Sequence, residues 1–292
     1  MVKSLREYIK EANEKRIAIG HFNISNLEAL HAIAQAAQSL NIPVIIGVSE
    51  GEEDFVGIYE AVALVKTLRE KYNHQPIFLN ADHHYSFDRV KKAIDAGFDA
   101  VIIDNAKLPM DENIAITKQC VDYARKVTAE TGRDILVEAE LGFIGQSSKV
   151  YDTVPEGIDE ANMTTPENAK IFVEATGIDL FAPYIGNIHG IIKSGKPRLH
   201  PDHVKAIREA INIPLVLHGG SGSLNQDFID SIKQGINIVH INTEIRLAYR
   251  DAVKKFLDEN PNEVAPYRFL KPGLDAVQKV VTERLKLFSN IS

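Results

Sequence analysis

What the chain lacks narrows what it can be. One cysteine leaves no partner for an intrachain disulfide. That residue, Cys120, lies inside the helical pattern ITKQCVDYARKV, where packing is its expected role. Positive charge is not in excess: 33 Lys and Arg stand against 40 Asp and Glu, a formal net charge of −7. A general nucleic-acid binder needs clustered basic residues, so none is expected here, and any anionic ligand must be held by a local site. No apolar run is long enough to cross a membrane, and the start, MVKSLREYIKEANEKRIAIGHF, is amphipathic without the apolar centre of a signal peptide. A cytoplasmic protein without membrane partners is the expectation. No Pro/Ser-rich linker or low-complexity segment divides the chain, so 1–292 reads as a single domain.

Short apolar, β-branched runs alternate with longer segments of helical period, the pattern of a parallel α/β sheet. Eight such runs occur, at Ile17–Asn23, Pro43–Ser49, Ile77–His83, Ala100–Asp104, Ile135–Glu140, Leu180–Gly186, Pro214–Gly220 and Ile238–Glu244. Between them lie helix signals such as Thr165-Pro166-Glu167, an N-cap followed by Pro at the first turn. Eight strand–helix units favour a closed (β/α)8 TIM barrel over an open sheet. The patternless stretch Gly142–Met163 after the fifth strand has the length and glycine content of a lid.

Active sites of such barrels gather at the C-terminal ends of the strands, and here those ends read NADHH, EAELG, GNIHG and LHGGSGS. They bring His83, Glu140, His189 and His218 to one face. Imidazole and carboxylate suit Zn²⁺, and three protein ligands leave the open position that a catalytic metal needs. A lone histidine is more often an ordinary core or loop residue, by about two to one where no local spacing such as HExxH is present; three at equivalent strand ends reverse those odds. Asp82, beside His83, is placed to move a proton on a substrate hydroxyl, against the plainer reading that it orients a ligand. His84 should face the opposite side if the pleat persists. His200 and His203 read as solvated or capping, and His21, His31 and His74 receive the same plain reading. The loop Gly219-Gly220-Ser221-Gly222-Ser223 offers backbone N–H groups and hydroxyls where barrels often hold phosphate, with Gly190 and Lys193 adding N–H groups and a positive charge.

Taken together, NADHH, EAELG, GNIHGIIK, LHGGSGS and HINTE resemble the class II fructose-bisphosphate and tagatose-bisphosphate aldolases. The resemblance extends from AIGHFNISNLEAL and PVIIGVSEG to RFLKPGLDAV. It implies a homodimeric or homotetrameric zinc enzyme that cleaves a ketose bisphosphate, foremost fructose 1,6-bisphosphate, to dihydroxyacetone phosphate and an aldehyde phosphate. By motif, His83, His189 and His218 look like zinc ligands, with Glu140 able to approach the metal, and Asp82 looks like the group that handles the C4 hydroxyl proton. Gly190, Lys193, Gly219, Ser221, Asn242 and Thr243 match the phosphate-binding positions. Asn23 and Ser49 fall in matching substrate motifs, and a monovalent cation near the phosphate is typical of the family.

Three departures stand out. Gln146-Ser147-Ser148 replaces the acidic residues that supply the C–H base, leaving Asp152 or Glu156 of the same loop, with Glu140 as competitor. His240 stands where Asn is common, near the substrate carbonyl. Lys271 replaces the Arg of the distal phosphate site, a point charge for a bidentate fork. An aldolase for another ketose phosphate is thus an alternative. A lysine-dependent aldolase is disfavoured because Lys107 and Lys193 lie in loops. A metal-dependent hydrolase and a non-catalytic sugar-phosphate-binding barrel are the remaining rivals.

Overall fold

The computed structural model describes residues 3–145, 149–154, 158–193 and 198–291. Among them are ten strands: β1 (Ile19–Asn23), β2 (Val44–Ser49), β3 (Ile77–His84), β4 (Ala100–Ile103), β5 (Leu136–Leu141), β6 (Val150–Tyr151), β7 (Leu180–Pro183), β8 (Ile191–Ile192), β9 (Leu215–Leu217) and β10 (Ile236–Ile241). Eight of them close a parallel barrel in the order β1-β10-β9-β7-β5-β4-β3-β2, as expected for a (β/α)8 fold. β6 and β8 pair separately, Val150 with Ile191 and Tyr151 with Ile192, which ties the described part of the 142–163 segment to the loop after β7.

Successive side chains on a strand alternate between the two faces of the sheet. Outward residues such as Ile46, Leu79, Val137 and Val239 form one large cluster with the surrounding helices. Inward residues at the strand starts, including Ile19, Ile45, Phe78, Leu136, Leu180, Val216 and Ile238, form a second, smaller cluster. The helix Leu5–Lys15 closes the barrel floor by adding Leu5, Ile9 and Ala12 to that cluster. Ser4 and Glu7 form its capping box, and Arg16 ends it in a left-handed conformation. Each large aliphatic side chain so buried contributes about 1.5–3 kcal/mol.

Three strands end three residues before the expected bound, the seventh run among them, which stops being strand at Leu217 rather than Gly220. The sixth run stops being strand at Pro183, because the Ile185 N–H is taken by Asn187 Oδ1 at 2.8 Å, which turns the chain. The eighth strand begins at Ile236 and ends at Ile241 rather than running to Glu244. Buried Asn237 interrupts its apolar pattern at the start, and at the other end a helix, Thr243–Glu259, begins at once.

Candidate metal centre and active site

The floor of the barrel is apolar, and the same alternation carried further along each strand gives polar residues. On β1 the inward sequence is Ile19, His21, Asn23; on β3 it is Phe78, Asn80, Asp82; on β5 it is Leu136, Glu138, Glu140; His218, the residue after β9, and His240 on β10 complete the set. All of these polar side chains are buried. Of these, Asn23, Asp82 and His240 line a cleft of about 200 Å³, together with Ser49, His83 and His189.

Asp82 and His83 are neighbours in sequence, yet both face the cleft. His83 has φ 47, and the β3–β4 register shifts between Ala81 and His84. A left-handed residue at a strand end breaks the alternation and is tolerated where the surroundings hold it. His84 then points outward, as expected, with Nε2 3.2 Å from Glu53 Oε2 in the packing behind β3.

The three histidines at the strand ends meet. Their ring centroids are 4.7 Å apart for His83–His189 and His83–His218, and 6.3 Å for His189–His218. Each ring has one nitrogen engaged by an acceptor oxygen. His83 Nδ1 donates to Asp104 Oδ2 at 2.8 Å, His218 Nε2 to Glu138 Oε1 at 2.6 Å, and His189 Nδ1 to the Gly145 carbonyl at 2.8 Å. With those hydrogens assigned to the outer nitrogens, the inner nitrogens present lone pairs to a common point, and His83 Nε2 lies 2.9 Å from His218 Nδ1. Facing lone pairs call for a proton or a metal cation between them. Carboxylate- and carbonyl-backed imidazoles are how proteins orient metal ligands, so these residues fit a divalent metal.

The electrostatics agree. Burial opposes a charge on His83, but the carboxylates of Asp82, Asp104 and Glu140 outweigh it and push its pKa up to about 10. Burial, with His83 and His218 nearby, pulls His189 down to about 3. The site therefore attracts positive charge at one point. Glu140 Oε2 lies 3.6 Å from His218 Nδ1 and 3.8 Å from His83 Nδ1. Burial first, and then Asp104, raise its pKa well above the usual carboxylate range.

Asp82 is the opposite case. Burial works against its charge, but His83, His240 and His21 hold its pKa well below normal. Asn23 Nδ2 donates to Oδ2 at 2.8 Å, while Oδ1 has no hydrogen-bond partner among the described residues and lies 3.4 Å from His240 Nδ1. An ionised carboxylate with an open oxygen at a cleft floor can accept a hydroxyl proton.

His21 does not fit the plain reading. It is fully buried in the barrel, its ring stacked on His240 at 3.5 Å and 5°, and His240 stacks on His218 at 4.0 Å. Gly47 makes room for it, since a Cβ there would stand 2.2 Å from His21 Cε1. Nitrogens of His21 and His240 and an oxygen of Asp82 also lie within 4.8 Å of one another. Parallel rings 3.5 Å apart cannot both point in-plane lone pairs at one ion, so this group does not make a second metal centre as placed.

The loop after β9 and the start of the helix after β10 form the other wall. Gly190, Gly219, Ser221, Asn242 and Thr243 line the cleft there. Gly219 has φ 59, and a Cβ on it would sit 2.6 Å from the Ile188 carbonyl, so no side chain fits. Glu244 accepts from Gly222 N–H at 2.8 Å and is gripped twice by Arg284, which fixes the loop against the helix N-terminus. Exposed N–H groups at a glycine-rich loop and a helix start suit an anion.

Some expected residues lie elsewhere. Lys193 is exposed and pairs with Asp152 at 2.9 Å, which also occupies that carboxylate. Lys271 is exposed, pairs with Asp275 and does not line the cleft. His200 sits at the N-cap of the helix Pro201–Ala210, and His203 Nε2 bonds the Thr164 carbonyl at 2.7 Å, both apart from the centre. Glu156 and the segment 146–148 lie outside the described residues. Sequence reasoning missed Asp104, Glu138, Asn187, Glu52 and Arg246. The alternation in LVEAEL could have found Glu138, two residues before Glu140; Arg246 and Glu52 carry no local signal.

Comparison with known proteins follows the same lines. The family model described as fructose-bisphosphate aldolase class-II matches residues 3–291. A fructose-bisphosphate aldolase of Geobacillus stearothermophilus is 39% identical over 289 residues, 98% of this chain and 96% of that one. One from Staphylococcus aureus strain Mu50 is 38% identical over 287 residues, with 98% and 96% covered. Among solved structures, the YdjI aldolase from Escherichia coli K12 superposes with a TM-score of 0.80 at 29% identity, covering 99% of this chain and 97% of that one.

Proposed function

The chain belongs to the class-II fructose-bisphosphate aldolase family, and from that premise we propose that it is a zinc-loaded lyase cleaving a ketose bisphosphate, foremost fructose 1,6-bisphosphate. The carrying observation is the convergence of three acceptor-backed imidazoles, His83, His189 and His218, beside the open oxygen of Asp82. When bound there, zinc polarises the ketose carbonyl and eases loss of the C3–C4 bonding pair.

The residues divide the remaining work. Asp82 takes the proton from the C4 hydroxyl as that carbon becomes an aldehyde. Gly190, Gly219, Ser221, Asn242 and Thr243 hold the phosphate of the dihydroxyacetone phosphate half, with a monovalent cation beside it. Glu140 Oε2, 3.6 Å from His218 Nδ1, can approach the metal, and it competes with Asp152 and Glu156 of the 142–163 segment for the proton at C3. Asn23 and Ser49 face the aldehyde half. We place the enzyme in the cytoplasm as a homodimer or homotetramer; Phe55, Tyr59, Val264 and Tyr267, all strongly exposed, suit contact between subunits.

A panel of ketose 1-phosphates and 1,6-bisphosphates, assayed for dihydroxyacetone phosphate release with and without a chelator, tests this reading. Cleavage that chelation abolishes and Zn²⁺ restores is expected. Full turnover by metal-free protein, or no cleavage of any member by the zinc-loaded protein, would sink it.

A further inference from the structure

Asp82 takes the hydroxyl proton in the proposed reaction, and its carboxylate is held from two strands away. β1 and β3 are separated in the barrel by β2. Asn23 on β1 nevertheless reaches Asp82 on β3, because its register partner on β2 is Gly47, whose missing side chain leaves the space open. A Cβ there would stand 3.1 Å from Asn23 Oδ1 and closer still to His21. Asn23 Nδ2 carries two hydrogens, and both go to carboxylates: one to Asp82 Oδ2 and one to Glu52 Oε2, each at 2.8 Å. A carboxylate on each side fixes which way round the amide stands.

Glu52 is first of all a helix cap. Ser49 ends β2 and caps the helix Glu50–Val56, and Glu52, at its third position, accepts from Ser49 N at 2.9 Å and Ser49 Oγ at 2.8 Å. Capping requires no more than that, and a glutamate is ordinarily left in water. Glu52 is only 5% exposed, its Oε2 also takes the Asn23 hydrogen, and its Oε1 accepts from Arg246 Nη2. A buried carboxylate is unfavourable unless paired and hydrogen-bonded, and here Arg246 and three other donors compensate it. A fixed acceptor therefore stands behind Asn23.

We propose that Glu52 is a positioning residue for the cleavage step: it holds the Asn23 amide, and through it Asp82, so that Oδ2 is occupied and Oδ1 faces the C4 hydroxyl. The inference rests on the aldolase reading. It adds a residue that does not itself line the cleft.

The test compares Glu52→Ala and Glu52→Gln with the parent, all zinc-loaded, in two assays. One is cleavage of whichever member of the ketose phosphate panel the parent turns over fastest. The other is exchange of the C–H proton of dihydroxyacetone phosphate with solvent, which involves no C4 hydroxyl. Displacing a catalytic group by about 1 Å costs on the order of 10²-fold, so Glu52→Ala should lower kcat for cleavage about 10–100-fold, with KM, zinc content and proton exchange within about 3-fold of parent. Glu52→Gln keeps an oxygen for Asn23 and Ser49 and should hold kcat within about 3-fold of parent. In an Asp82→Ala background Glu52→Ala should cost nothing further, because groups that act as a unit are not additive. Asn23→Ser cuts the same link at its other end and should show the same split between cleavage and exchange, which keeps the test open if Glu52→Ala does not fold. Equal losses of cleavage and exchange would overturn the proposal and make Glu52 a support of the whole site. So would a loss confined to KM, an unchanged kcat in Glu52→Ala, or a Glu52→Gln variant as slow as Glu52→Ala, which would assign the effect to the pairing with Arg246. If the zinc-loaded parent cleaves no member of the panel, the aldolase reading itself falls.

Discussion

The lower and upper halves of the barrel interior are made by the same strands with the same inward alternation, yet they do opposite things. Below, Ile19, Ile45, Phe78 and their neighbours exclude water and stabilise the fold. Two residues further along, His21, Glu138, His218 and His240 are just as buried but polar, and several of their atoms have no hydrogen-bond partner among the described residues. Burying such groups is unfavourable, and each is retained only because the rest of the fold offsets it. A barrel strand therefore divides its labour along its length, with stability at its start and chemistry at its end.

The contrast is sharpest in the proposed metal ligands. His218→Ala removes one of the three converging nitrogens, and its expected effect is loss of bound zinc with cleavage down by at least about 10³-fold, since the metal supplies several kcal/mol of barrier lowering. Zinc analysis and the dihydroxyacetone phosphate assay read both; a variant that keeps metal and rate would erase the distinction between the halves.

Ile45→Ala probes the lower half. Deleting that side chain should destabilise the protein by about 2–5 kcal/mol in denaturant unfolding, while zinc content and kcat of the folded protein stay near parent values. A comparable drop in kcat would mean the floor shapes the site as well as holding it.

Glu138→Gln acts one step behind the proposed metal ligand His218. It keeps the shape but replaces the carboxylate that orients His218, and should weaken zinc affinity by about 10–100-fold, the usual range for such partners. An unchanged affinity in a competition titration would make Glu138 a buried structural acid.

The smallest effect concerns acid stability. Burial, against the pull of Asp82, lowers the His21 pKa from 6.5 to about 4. The unfolded chain therefore takes up a proton that the folded chain refuses. Stability from this site is complete above about pH 6.5 and is lost as pH falls toward about 4. His21→Gln should move the acid-unfolding midpoint down by roughly a few tenths of a pH unit. A midpoint that stays in place would show that the acid sensitivity lies elsewhere.

Much of this was legible in the chain itself. Eight β-branched runs separated by helical segments specify a parallel barrel because local periodicity decides which faces can be buried. The NADHH, GNIHG and LHGGSGS endings placed His83, His189 and His218 on one rim because strand ends converge in any such barrel. What pairs with what across the barrel was not legible. Glu138 backs His218 from 80 residues away, and Arg246 meets Glu52 across 194 residues. His21 lies flat on His240 because β1 and β10 are neighbours only once the sheet closes. Even the inward turn of His83 depends on a left-handed backbone residue held by its surroundings. Periodicity reports which face a residue occupies, whereas the contacts that tune a site depend on strand register and closure, and only the folded chain decides those.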